Sequence, residues 1–324
     1  MRSSSEISEQ LTRESERRAR LAVPAFAGGV LYFLSALIVT ATLNAAPTVG
    51  LVQGLAPALR GEANPAVSPR AVEVKYISHH ASALIAGSAI KAISLIALML
   101  VLLVLLDATR FRRPETWSAA RPLVLFGGTA LALVNVVHQV VGSIQAHNFA
   151  LGHDFTSHAV DQALTQGAVN VGSQYVDLLA ALALTAGMIA VSVNAIRVGL
   201  LTRWMGVIGI FSGILIFLPI GGATLEIIPA FWMLAMGILY LGRWPNGDPP
   251  AWAAGEARPW PTQAERRAER AAQDASGSAA KRKPAAVPAP ARSASGSEAA
   301  APPAAPTSAG GSSRKRRRKR RVRG

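Results

Sequence analysis

Four side chains in the apolar part of this sequence could do chemistry: Lys91, Asn135, His138 and Asp177. Lys91 and His138 lie in two membrane-length apolar segments set back to back and joined by the basic turn Arg110–Arg121. An ionisable group in hydrocarbon costs a few kcal/mol or more, so it normally faces a bundle interior or a water-filled cavity. Helical spacing puts His80, Ala83, Gly87, Lys91 and Ser94 on one face. Small residues there let a neighbouring backbone approach closely. Asn135, His138, Gly142 and Gln145 form a matching stripe on the next helix, and Asp177, Ala181, Thr185 and Ser192 another. A polar constellation of Lys91, Asn135, His138, Gln139 and Asp177 is therefore expected in one half of a bundle, with Glu226 capping the last span. Two chemistries stay open. One is interhelical hydrogen bonding, worth ~0.6–2 kcal/mol per bond, with Lys91 reaching toward Asp177 or the headgroups. The other is a proton- or anion-coupled site with His138 as the titrating group.

Metal and haem chemistry are weaker readings. All six histidines (His79, His80, His138, His147, His153, His158) fall in the same half or in the loops beyond it. Asp154, His158 and Asp161 share a face if their stretch is helical, and imidazole with carboxylate suits zinc. Their spacing matches no fixed metal motif. Paired haem ligation by His80 and His138 is chemically conceivable. The absence of cysteine excludes disulfides, thiolate metal sites and cysteine nucleophiles. No nucleophile elbow, phosphate-binding loop or zinc-protease motif occurs. No catalytic residue and no cofactor is assigned, and the paired glycines at 28–29, 127–128 and 221–222 read as helix packing or turns.

The elements that must position these groups are apolar helices. Of the 324 residues 51% are hydrophobic and 16% charged, with a net charge of +15; a soluble domain carries about 25% charged residues. The pattern predicts an all-α, six-span bundle over 21–242, with spans at about 21–44, 83–106, 123–145, 175–196, 204–220 and 227–241. The first apolar run is longer than a signal-peptide core and reads as an uncleaved span. A helix beginning near Ala71 is expected to project from the second span, and Thr48–Leu59 reads as a short interfacial helix. Residues 1–20 form a basic arm, and 243–324 a Pro/Ala-rich disordered tail. Lys and Arg fall 29 on the side of the termini against three (Arg60, Arg70, Lys75) on the other. That split places both termini in the cytoplasm.

The tail ends in Arg314, Lys315, Arg316, Arg317, Arg318, Lys319, Arg320, Arg321 and Arg323, nine basic residues in ten. Such a run binds anionic inner-leaflet lipid at ~1 kcal/mol per charge. An acidic protein or nucleic acid would also bind it, but no aromatic residue is interleaved for base stacking. Two stretches, NAIRVGLLTRWMGVIGIFSGILIFLP (Asn194–Pro219) and GRWPNGDPPAWAAGEARPWPTQAE (Gly242–Glu265), resemble an uncharacterised family of actinobacterial multi-pass membrane proteins, as does the basic C-terminus. The resemblance covers less than a third of the chain. It implies a bacterial plasma membrane and carries no activity or site residue. The sequence thus points first to a non-enzymatic membrane scaffold or sensor whose tail holds lipid or a polyanionic partner. The alternative is a small transporter or channel using Lys91, His138 and Asp177.

Overall fold

The computed structural model describes residues 4–50, 52, 56, 59–61, 67–164, 168–218, 223–245, 247–260, 264–265, 267–268 and 271–273. The chain divides into two units, Met1–Gln263 and Ala264–Gly324. The described residues of the second are helical. The basic run Arg314–Arg323, most of the Pro/Ala-rich tail and most of Thr48–Leu59 lie outside the described residues.

Among the described residues the first unit is all-α, apart from an isolated bridge between Val67 and Phe155. Its helices are α1 (Ser4–Asn44), α2 (Ala71–His79), α3 (Ala81–Arg112), α4 (Ala120–Leu151), α5 (Ser157–Leu164), α6 (Ala168–Val198), α7 (Arg203–Phe217), α8 (Ala223–Tyr240) and α9 (Pro250–Ala254). α1, α3, α4 and α6 are long and apolar enough to cross a membrane, so this is a membrane-embedded helical protein. α7 and α8 are equally apolar but shorter. With 15 residues α7 rises only ~22 Å, less than the ~30 Å hydrocarbon layer. Two breaks are locally explained. Thr202 caps α7 by accepting from the Met205 amide at 3.2 Å. The α2–α3 break falls at His80, whose ring stacks on Tyr76 and whose Nδ1 lies 3.0 Å from the Tyr76 carbonyl.

The six apolar helices pack in a closed circuit: α1 on α3, α3 on α4, α4 on α6, α6 on α7, α7 on α8, and α8 back on α1. Small residues set the closest approaches, because lipid gives helices no hydrophobic reason to associate. Gly29 of α1 faces the α8 backbone at Ala230 and Leu234, and Gly127 of α4 faces the α6 backbone at Leu184. A Cβ at either position would overlap main chain. The expected polar face of α3 packs on α1: Ser35 donates to the Gly87 carbonyl (2.9 Å) and Ser94 to the Gly28 carbonyl (2.7 Å).

At the end of the bundle that holds residue 4, the chain departs from the expected boundaries. Residues 243–260, expected to begin the disordered tail, fold back on the helix ends. The Trp252 and Trp260 indoles donate to the Leu200 and Leu201 carbonyls, each at 2.9 Å. The Arg258 amide donates to the Val198 carbonyl at 3.0 Å. The Val198 carbonyl ends α6 and those of Leu200 and Leu201 lie in the turn before α7, where acceptors are left without helical partners and an indole with a wet edge suits them. The two stretches that carry the family resemblance are therefore in contact. Trp252 is also flanked by Arg18, 4.3 Å from its ring, and Arg112, 5.5 Å from it. Arg112 donates to both Glu14 oxygens (3.0 and 2.9 Å), and Arg18 to Asp248 (2.8 Å). The basic arm is thus the first five turns or so of α1, held by these pairs rather than free.

The Arg112 and Glu14 side chains are 0% and 7% exposed. Glu14→Gln should therefore destabilise the protein by about 3–5 kcal/mol, because it leaves a buried guanidinium without its counter-charge. Replacing both residues by Met should cost much less. Denaturant unfolding of the two variants in detergent checks this; equal losses would show that the pair itself is not what matters.

Candidate functional site

α3 positions Lys91 ten residues inside its start, and α8 positions Glu226 in its first turn. Both ends lie away from residue 4, and here the two side chains meet. Lys91 Nζ donates to Glu226 Oε1 at 2.7 Å. The ammonium also lies 5.5 Å from the centre of the Tyr32 ring on α1. Tyr32, which reads from sequence as an ordinary lipid- or core-facing residue, faces the core and is only 3% exposed. The lysine is not left to snorkel. Its counter-ion is Glu226 rather than Asp177, the partner expected from sequence. The missed signal was simple: Glu226 is the only acid between Asp177 and Asp248, so a carboxylate at the mouth of the last apolar helix needed a cation.

Two adjoining cavities, of about 340 and 560 Å³, surround this pair. Lys91, Asn135, Gln174, Asp177 and Glu226 line both. His138 and Gln139 line the smaller one. The structure therefore brings all four sequence-derived residues, Lys91, Asn135, His138 and Asp177, to one space. Between them the cavities are walled by α1, α3, α4, α6, α7 and α8. Their volumes are those of small-molecule sites.

The hydrogen bonding of the site is uneven. His138 Nδ1 lies 3.1 Å from Ser173 Oγ, and Gln139 donates to Ser143 at 3.4 Å. Asn135 Oδ1 and Glu226 Oε2 are buried acceptors without a donor among the described residues. Asp177 is exposed and makes no hydrogen bond or ion pair among them, with Lys91 and His138 near enough to act on its charge. Buried polar atoms are nearly always satisfied. What is left open here is a set of oxygen acceptors, so the arrangement can take a proton, a cation or an N–H donor.

The other candidate groups are used differently. Asp154 accepts from the Thr156 amide at 3.0 Å, and Thr156 Oγ1 accepts from the Ala159 amide at 3.3 Å, which together open α5. Asp161 lies 4.0 Å from Arg70. Among the described residues no group of three His, Asp or Glu side chains is placed to hold a metal ion, so Asp154, His158 and Asp161 are not assembled as a triad. α2, α5 and the end of α4 instead share a small apolar core of Ala71, Val74, Ala146, Phe149, Val160 and Ala163. The helix spacing was right for one face, but Asp154 precedes the helix instead of riding on it.

Comparison with protein-family models, curated proteins and solved structures finds no match to this chain. Fold and site together define the class: a helical membrane protein with a charged, partly unsatisfied cavity inside its helix circuit.

The Thr156 amide, with help from its hydroxyl and the nearby His158, holds the Asp154 carboxyl below the usual carboxylate range. A lowered native pKa means that the cap is fully present above the unfolded carboxylate pKa and is lost as pH falls through the native one. The protection of the Thr156 amide, taken as its exchange rate relative to an unstructured amide at the same pH, should accordingly hold at neutral pH and fall only in strong acid. Asp154→Asn should remove that pH dependence.

Proposed function

We propose that this chain is a six-span plasma-membrane protein that holds a small solute in the cavity around Lys91 and Glu226, as a carrier or as a sensor of that solute. The observation that carries the reading is a charged pair inside a cavity lined by every apolar helix. Intramembrane ionisable residues mark solute and proton paths, and bundles place such sites between facing helices. His138, Asn135 and Asp177 are the accompanying site residues. α7 and α8 count as spans five and six because they complete the circuit. The 29-to-3 division of Lys and Arg supports cytoplasmic termini and puts the cavity toward the outer face. The resemblance of 194–219 and 242–265 to actinobacterial membrane proteins supports a bacterial setting.

A second reading rests on a separate observation, the nine basic residues in 314–323. It makes the tail a tether for anionic inner-leaflet lipid or a polyanionic partner, which gives the protein a scaffolding or sensing role. No catalytic step is assigned in either reading.

Because the chain has no cysteine, single introduced thiols report sidedness without background. A membrane-impermeant maleimide applied to intact bacteria should label Gln139→Cys in the cavity and spare Ser118→Cys in the basic turn. Inverted vesicles should reverse the pattern. Labelling of both positions from one side, or an inert Gln139→Cys on both, would contradict the proposal.

A further inference from the structure

The two chambers differ in chemistry and meet along one row of side chains. Beyond the five shared residues, the smaller is walled by polar groups such as Ser88, His138 and Gln139. The larger is walled by Leu95, Leu131, Leu178, Ile216 and Phe217. The larger chamber also lies along a stretch of α6 that its neighbours cover little. From Val171 to Leu179 every residue except Ser173 is exposed, so exposure runs round the whole helix instead of along one lipid-facing stripe. Leu215–Leu218 of α7 form the other side of this chamber.

The charges at the junction do not balance. The Lys91 ammonium is answered by Glu226. Asp177 is exposed and makes no hydrogen bond or ion pair among the described residues, with Lys91 and His138 acting on its charge only from a distance. Asn135 Oδ1 and Glu226 Oε2 are buried acceptors lacking a donor among them. An anionic solute would find the Lys91 ammonium already paired with Glu226 and a second carboxylate, Asp177, beside it, with the His138 imidazole as the other basic group among the described lining residues. Unpaired like charge is how a site rejects the wrong ligand. A ligand that completes the site brings positive charge and N–H donors to the junction, and an apolar body to the larger chamber.

Resting on the reading of this cavity as a solute site, we infer that its ligand is a cationic amphiphile. A protonated amine sits against Asp177, Asn135 and Glu226, and its apolar part lies between α6 and α7. The Tyr32 ring, 5.5 Å from the Lys91 ammonium, lines the larger chamber and keeps that cation on the α1 side of the junction. Lys91 then acts as the resident cation, which the ligand's ammonium joins or displaces from Glu226.

The test uses the full chain in phosphatidylcholine nanodiscs and two fluorescent probes, rhodamine 6G (a cationic amphiphile) and fluorescein (an anion). Binding is read by anisotropy against empty nanodiscs. Rhodamine 6G should bind and fluorescein should not. Asp177→Asn should weaken rhodamine 6G at least tenfold. Lys91→Met, which removes the competing cation, should tighten it several-fold. Opposite signs from two cavity substitutions are not what a loosened fold produces, and matching unfolding midpoints exclude misfolding. If Asp177→Asn does not fold, the Lys91→Met result decides alone. Fluorescein binding that Lys91→Met abolishes would overturn the cationic assignment and leave the solute site standing. No binding of either probe, with Gln139→Cys still reactive, would also overturn the assignment alone. No binding together with an unreactive Gln139→Cys would remove the solute site itself.

Discussion

Hydrocarbon offers no partner for a charge, and that constraint organises this protein. Lys91 sits in the middle of an apolar helix and can be tolerated only if another helix supplies its counter-ion. α8 does so through Glu226, 135 residues away in sequence. The pair ties α3 to α8, two helices whose main contacts are each with α1. It therefore braces the circuit across α1 instead of merely decorating its wall. The same constraint explains why glycine and serine recur where α1 meets α3 and α8. Without a hydrophobic drive between helices, close backbone contact and short hydrogen bonds must hold them.

The two ends of the bundle treat charge in opposite ways. At the end that holds residue 4, Arg112 and Glu14 are buried and doubly bonded, Arg18 reaches Asp248 and the Leu239 carbonyl, and Trp252 fills the space between the two arginines. Residues 243–260 complete this closure over the ends of α6 and α7. At the far end Asn135, Asp177 and one oxygen of Glu226 lack partners among the described residues, around open space. One end is closed by ion pairs and indoles, with the Arg18 Nε its buried donor lacking an acceptor among the described residues, and the other surrounds open space lined by acceptors. That asymmetry is the physical basis for placing a solute site at the far end.

Much of this was legible in the sequence, for reasons that can be named. Apolar length gave the four long helices, and the three-and-four spacing of Gly87, Lys91 and Ser94 correctly gave the face of α3 that meets α1. The stripe through Asn135 and His138 holds two residues that both line the smaller cavity. What failed were long-range pairings, which periodicity does not encode. Nothing local to Lys91 selects Glu226 over Asp177, and nothing local to Arg112 selects Glu14. Proline and glycine content reads 243–260 as the start of the tail, while Trp252 and Trp260 leave open either the headgroup layer or packing on the cytoplasmic turns, and the second is what occurs. The tryptophans there were the contrary signal, since an indole N–H seeks the carbonyls that a helix end leaves free. Asp154 was assigned to a helix face on spacing alone, whereas an acid two residues before a threonine cap more often serves the turn.

The most direct measurement is a charge exchange between the two residues that brace the circuit. Lys91→Glu and Glu226→Lys each place like charges together and should lower the unfolding midpoint in detergent. The doubly exchanged protein should recover most of that loss, with a coupling of about 1 kcal/mol or more between the two sites. Simple addition of the two single losses in the double variant would mean that Lys91 and Glu226 do not meet. The cavity described here would then have no organising pair.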